Sequence, residues 1–246
     1  MRWIDRTLVG FDTETTGVDV ATDRVVTAAL VRRMAGAASG SPALSTLTWL
    51  VDPGVLIPAA AAAIHGITTE HAMALGRPAL LALEEIATAL TAAVRRGEAV
   101  VAYNAGYDLS LLDAELRRHR LPTVPDRLGH EVRAVIDPLV LDRHLDRFRP
   151  GKRRLGDLCA HYGVRTAPLH GAEADVLATL DVLGALVRAY PALAALSLDE
   201  VHALQVEAHR TWAESFNAWR TGQGLPGPGA EPGWPSRTPV ASPVPA

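Results

Sequence analysis

The chain has 246 residues, 48% of them hydrophobic and 21% charged, the profile of a folded globular protein. Its formal net charge is −3, which excludes coating of nucleic acid by bulk positive charge; a polyanion would have to be drawn by bound cations and a local basic patch. One cysteine, Cys159, excludes an intramolecular disulfide, and no apolar run reaches the roughly 18–20 residues that a membrane span needs.

The N-terminal residues run almost directly into an apolar segment, Thr7 to Phe11, so the expectation is a first strand with no signal peptide ahead of it, and a cytoplasmic protein without a membrane partner. Val25 to Arg33 and Thr46 to Val51 read as two further strands, the latter broken by Asp52-Pro53-Gly54. A short helical stretch, Ala59 to Ile64, ends at His65-Gly66. Pro78 opens a longer helix with Leu80, Leu83, Ile86, Ala87 and Leu90 at a 3.6 period, closed by Arg95-Arg96-Gly97. Ala99 to Tyr103 is a short buried strand, Asp108 to His119 a helix, and Ala134 to Ile136 a last strand cut off at Asp137-Pro138. Helical patterns follow over Leu139 to Phe148, Leu155 to Tyr162, Ala172 to Tyr190 and Leu198 to Arg220. Three consecutive strands predict an antiparallel meander, and strands reached through helices join in parallel. The expected fold is α/β, a mixed five-stranded sheet with helices on both faces. Domain bounds are set at 1–190, with a helical extension over 191–220. From Thr221 the density of Pro and Gly predicts a disordered tail to residue 246.

Five residues carry the candidate chemistry. Asp12 and Glu14 in VGFDTETTG are two apart on a strand and project from one face, where two carboxylates need a proton or a cation between them. Hard divalent ions favour such oxygen ligands. Asp108 in NAGYD opens a helix directly after a buried strand, where α/β sheets build their sites; helix capping is the alternative for it. Asp175 lies about one turn into a helix, and His170 on the loop before it is suited to accept a proton near neutral pH. With one cysteine and no His pair at zinc spacing, a zinc site is not expected.

DTETTG, then N-A-x-x-D, then H-x-A-x-x-D, in this order, resemble the DEDDh branch of the DnaQ-like 3′–5′ exonucleases over about residues 6 to 190. Ile64-His65-Gly66-Ile67-Thr68, Asp137-Pro138-Leu139 and Arg154 to Cys159 match secondary family segments, while Tyr103 and Gly106-Tyr107 depart from the family's usual residues. The resemblance implies a ribonuclease H-like sheet and two Mg²⁺ per site, with Mn²⁺ able to substitute. Asp12, Glu14 and Asp175 would hold one ion; Asp12 would bridge to a second, held also by Asp108. His170 would act as general base. Thr15, Ile64, His65, Asn104 and Tyr107 would line the terminal-nucleotide pocket. The implied partners are the 3′ end of a single-stranded nucleic acid and a DNA polymerase or repair complex. The alternatives are an exoribonuclease of the oligoribonuclease or RNase T kind, and a catalytically dead adaptor. A basic run, Arg143, Arg147, Arg149, Lys152, Arg153 and Arg154, either holds incoming phosphates or is a solvated loop. Trp212, Phe216 and Trp219 recur at helical spacing and are expected to pack the last helix onto the domain.

Overall fold

A computed structural model describes residues 1–35, 43–167 and 169–236. After a 3₁₀ turn at Trp3–Asp5 the elements are β1 (Leu8–Thr15), β2 (Val25–Arg33), β3 (Leu44–Asp52), α1 (Ala59–His65), α2 (Thr69–Leu75), β4 (Arg77–Pro78), α3 (Ala79–Arg95), β5 (Ala99–Val101) and α4 (Ala105–Arg118). They continue with α5 (Val124–Leu128), β6 (Val135–Ile136), α6 (Pro138–Leu145), α7 (Leu155–Tyr162), α8 (Ala172–Ala189), α9 (Ala192–Ala195) and α10 (Leu198–Gly222).

The sheet runs β4-β3-β2-β1-β5-β6. β1 pairs antiparallel with β2, and β2 with β3, while β5 joins β1 and β6 joins β5 in parallel. This is a mixed α/β sheet of the ribonuclease H-like kind, with six strands and not the expected five. The sixth is Arg77–Pro78, which pairs in parallel with Val51 and Asp52 at the sheet edge. Two residues carry no periodicity to read, and a proline, having no N–H to donate, belongs on an edge.

Alternation along β1 sends Val9 and Phe11 into a core built with α3 and α4, and Leu8 into a second core built with α8 and α10. Gly10, Asp12 and Glu14 share the parity of Leu8 and so face α8. At Gly10 the missing side chain is required. A Cβ there would stand 2.3 Å from Val176 Cγ1 and 3.2 Å from Leu180 Cδ1. The glycine therefore lets the first turns of α8 lie directly on β1.

The Pro/Gly-rich segment departs from the disordered tail expected of it. α10 extends to Gly222, and described residues beyond it return along the helix. Asn217 donates to Ala230 O at 2.9 Å and accepts from Ala230 N at 2.6 Å, and His209 Nε2 lies 2.9 Å from Glu231 O. Trp234, 7% exposed, joins the α3–α4 core beside His202. Proline and glycine forbid regular structure there, yet one tryptophan suffices to anchor an irregular strap. Residues 237–246 of the expected tail lie outside the described residues.

Candidate metal and nuclease site

The site forms at the C-terminal ends of β1 and β5, where parallel strands of an α/β sheet open toward their helices. Asp12 and Glu14 come from β1, and Asp175 from the first turn of α8, immediately before the Val176 that packs on Gly10. One carboxylate oxygen from each of the three lies within 4.8 Å of the others, a group able to hold a divalent cation. Asp108 stands in the first turn of α4 and is buried. β5 pairs with β1 only as far as Gly10, which leaves the later N–H groups of that edge open. Thr13 N uses this opening to donate to Asp108 Oδ1 at 3.0 Å, and Thr13 Oγ1 donates to the same oxygen at 2.6 Å. Both bonds fall on Oδ1, so Oδ2 is left clear of Thr13. Asp12, Asp108 and Asn104 then line one open cleft with Tyr103, Tyr107, Arg143 and Arg154.

The electrostatics of the four carboxylates suit a cation. Burial, then the charges of Asp108, Glu14 and Asp175, push Asp12 well above the usual carboxylate range. Burial and the Asp175 charge raise Glu14 to about 7. Asp108 is raised by burial against the opposing pull of Thr13, and Asp175 by burial against the His170 N–H. Carboxylates crowded in this way shed their strain by taking a proton or a metal ion.

His170 stands in the loop before α8 with φ +84 and an exposed side chain. Its main-chain N–H donates to Asp175 Oδ1 at 3.1 Å, so it is tied to that carboxylate through the backbone. Of the expected pocket residues, Thr15 and Tyr107 meet: their hydroxyls are 2.9 Å apart, and both donate to Gly17 O. A shift in register between Glu14 and Thr15 turns Thr15 out of the regular β1–β2 pairing toward this contact. His65 closes α1, its Nδ1 accepting from Ile67 N at 3.2 Å while Nε2 is buried toward the Thr15 backbone without a bond of normal geometry. Ile64 is exposed beside it. Asn104 is the left-handed residue (φ +61) that turns the chain from β5 into α4.

Two residues of the site's frame escaped the reading of the sequence. Asp137, noted there as a strand end and part of a secondary family segment but given no role, is buried and accepts from Asn104 N at 3.1 Å, Ala105 N at 2.9 Å and Leu139 N at 2.9 Å. It thus holds the turn that presents Asp108. Its own N–H donates to Gln205 Oε1 at 2.6 Å, and Gln205 Nε2 bonds Val135 O at 3.1 Å, so α10 is bolted to the same turn. The Asp-Pro pair signals a helix start, and Asp137 does cap α6; nothing local signals its bonds to Asn104 and Ala105.

The basic run divides. Arg149 and Arg153 are spent on the buried Asp142, a structural role. Arg143 and Arg154 line the cleft, and so does Arg153 while paired with Asp142.

The sheet order, the clustered carboxylates and the cleft are those of the DnaQ-like exonuclease class, and the comparisons agree. The RNase T family model, described as an exonuclease, matches residues 9–183. The chain belongs to this DnaQ-like exonuclease family. It is 30% identical over 176 residues to the DNA polymerase III PolC-type protein of Streptococcus thermophilus, covering 71% of this chain and 11% of that one. A DNA polymerase III subunit epsilon-like protein of Rhodobacter capsulatus is 32% identical over 209 residues, covering 83% of this chain and 26% of the relative. The chain therefore spans only a minor part of these relatives. Among solved structures, the zinc-bound E. coli exonuclease I–ssDNA complex superposes with a TM-score of 0.64 at 22% identity, over 83% of this chain and 43% of that one. Exonuclease I from Methylocaldum szegediense superposes at 0.60 with 25% identity, over 87% and 45%. Among the described residues, no helix is long and apolar enough to cross a membrane.

Proposed function

We propose that this chain is a metal-dependent 3′–5′ exonuclease that removes nucleoside 5′-monophosphates from single-stranded DNA. The observation that carries the reading is the convergence of Asp12, Glu14 and Asp175 within 4.8 Å, beside an Asp108 fixed on Thr13. Asp12, Glu14 and Asp175 would hold one Mg²⁺ and Asp12 with Asp108 a second, with Mn²⁺ as a substitute. When bound, these ions supply Lewis-acid activation and neutralise the charge that builds on the phosphodiester. His170 accepts the proton of the attacking water; its loop position lets the ring swing over Asp175. Thr15, Tyr107, His65 and Ile64 wall the terminal nucleotide, and Asn104 sits at the mouth of that pocket. The PolC-type and epsilon-like relatives support a place beside a DNA polymerase or in a repair complex, and the exonuclease I–ssDNA complex supports a single-stranded substrate.

The test is digestion of end-labelled single strands, DNA and RNA of one sequence, with Mg²⁺ or with excess chelator. A 5′-labelled DNA should shorten stepwise and a 3′-labelled one should lose its label at once. Chelator, Asp12→Asn or Asp175→Asn should abolish both. Sustained digestion in chelator would sink the metal-dependent reading, and faster turnover of RNA would make the enzyme an exoribonuclease.

A further inference from the structure

The expectation that the aromatic residues of α10 pack it onto the domain meets a different arrangement. At 100° per residue, Val201, Gln205, Trp212, Phe216 and Trp219 fall within about 60° of one another on one face of the helix. The first part of that face is buried: Val201 lies in the α8 core and Gln205 reaches β6. The aromatic part continues past the packed core. None of Trp212, Phe216 and Trp219 belongs to a core cluster, the first two are half-buried, and Trp219 is 54% exposed. Trp212 and Phe216 stack at 5.4 Å with planes 15° apart, and Phe216 and Trp219 follow at 5.8 Å and 31°.

This ladder begins at the wall of the cleft. Arg143 lines the cleft with Asp12 and Asp108, and its guanidinium lies 3.9 Å from the centre of the Trp212 ring. Among the described residues the Arg143 guanidinium makes no salt bridge or side-chain hydrogen bond, though it lies in the field of Asp137 and Asp142. At the outer end the Arg220 guanidinium is 5.9 Å from the Phe216 ring. From Trp212 to Trp219 the helix rises about 10 Å, the length of some three stacked nucleotides.

We propose that the Trp212–Phe216–Trp219 ladder is a track for the single strand behind the scissile end, its bases stacking on the rings and its phosphates drawn by Arg143 and Arg220. This rests on the nuclease reading for the position of the 3′ end. A single strand fits because the ladder is continuous with the cleft and carries a guanidinium over Trp212 and another beside Phe216. That combination binds single strands of any sequence, because every base has a face to stack. A chain with net charge −3 also needs such a local element to hold a polyanion.

The test compares the native protein with the Phe216→Ala/Trp219→Ala double variant, with Ca²⁺ in place of Mg²⁺. Anisotropy of fluorescently labelled dT12 and dT3 reads binding. Hydrolysis of thymidine 5′-monophosphate p-nitrophenyl ester with Mg²⁺ reads chemistry, and thermal melts check folding. The variant should bind dT12 at least tenfold more weakly, with dT3 affinity and ester hydrolysis within twofold of native, and Phe216→Tyr/Trp219→Phe should restore dT12 binding. Unchanged dT12 affinity, or equal losses on dT12 and dT3, would overturn the track. A native protein that hydrolyses neither the ester nor any strand would overturn the nuclease reading, while dT12 binding would still decide the track.

Discussion

Gly10 and Val176 are in such close approach that a methyl group on the glycine would stand 2.3 Å from Val176 Cγ1. Each is a near neighbour of a carboxylate of the site: Gly10 is two residues before Asp12, and Val176 follows Asp175. Their contact is what brings together two acidic groups 163 positions apart. Gly10→Ala must therefore move α8 or the strand, because a β-branched valine cannot swing its methyl away. The expected result is a loss of roughly 1–3 kcal/mol in stability, typical of overpacking, together with a higher Mg²⁺ requirement for activity. Val176→Ala in the same chain should recover most of both. Urea unfolding and Mg²⁺ titration of the two single variants and the double variant check this; an additive double variant would show that the contact does not set the Asp12–Asp175 spacing.

Glu14 gives a pH test with a definite sign. Its folded-state value, raised to about 7 from an ordinary 4.5, means that the protonated form is favoured in the fold. The contribution of this group is complete below about 4.5 and is lost as pH rises through 7. In chelator, Glu14→Gln should therefore gain in Tm relative to the native chain as pH rises from 4.5 to 7. With saturating Mg²⁺ the order should reverse, since the native carboxylate then gains a cation that the amide cannot hold as well. Thermal melts across that window, with and without Mg²⁺, decide it. A difference in Tm that stays flat with pH would rule out a strained carboxylate at position 14.

His170 occupies a left-handed backbone conformation, φ +84, which alanine tolerates poorly and asparagine tolerates well. His170→Asn is the better probe of its chemistry. If the imidazole takes the proton, turnover of His170→Asn should fall by on the order of 10²–10⁴ while affinity for a single strand is kept. Equal turnover in the variant would assign the proton to another acceptor.

Much of this was legible in the chain because the features are local. β2 is found over Val25–Arg33 as expected, since the apolar run Val25–Val31, buried except at Thr27, ends on two arginines and leaves a clear local pattern. Asp12 and Glu14 project together because strand geometry dictates it. The missed features are long-range or brief. The bonds of Asp137 to Asn104 and Ala105 cross more than thirty residues, and Gln205 reaches it across 68, with no periodicity to announce either. The edge strand Arg77–Pro78 is two residues long. Composition likewise hid the strap over α10, because disorder was inferred from Pro and Gly density while its anchoring is done by Trp234.

Trp234 supplies the last prediction. A truncation after Arg220 is neutral if the Pro/Gly-rich segment is inert, which is what composition alone suggests. The structure argues otherwise. The Trp234 ring is buried beside His202, and its Cδ1 would lie 3.8 Å from a Cβ on Gly106, two residues before Asp108. Removing a large buried ring costs about 3–5 kcal/mol. The Trp234 Nε1 is buried without a partner, which offsets part of that, so roughly 3 kcal/mol is expected for Trp234→Ala. In a domain of this size that is a fall in Tm of about 6–12 °C. Truncation after Arg220 should lose at least as much, because the bonds of Asn217 and His209 to residues 230 and 231 go with it. Turnover of a short oligonucleotide at low temperature should persist in Trp234→Ala, since Asp137 still holds the turn before α4. Differential scanning calorimetry beside a low-temperature nuclease assay separates the two effects, and an unchanged Tm in both variants would return the segment to the status of an inert tail.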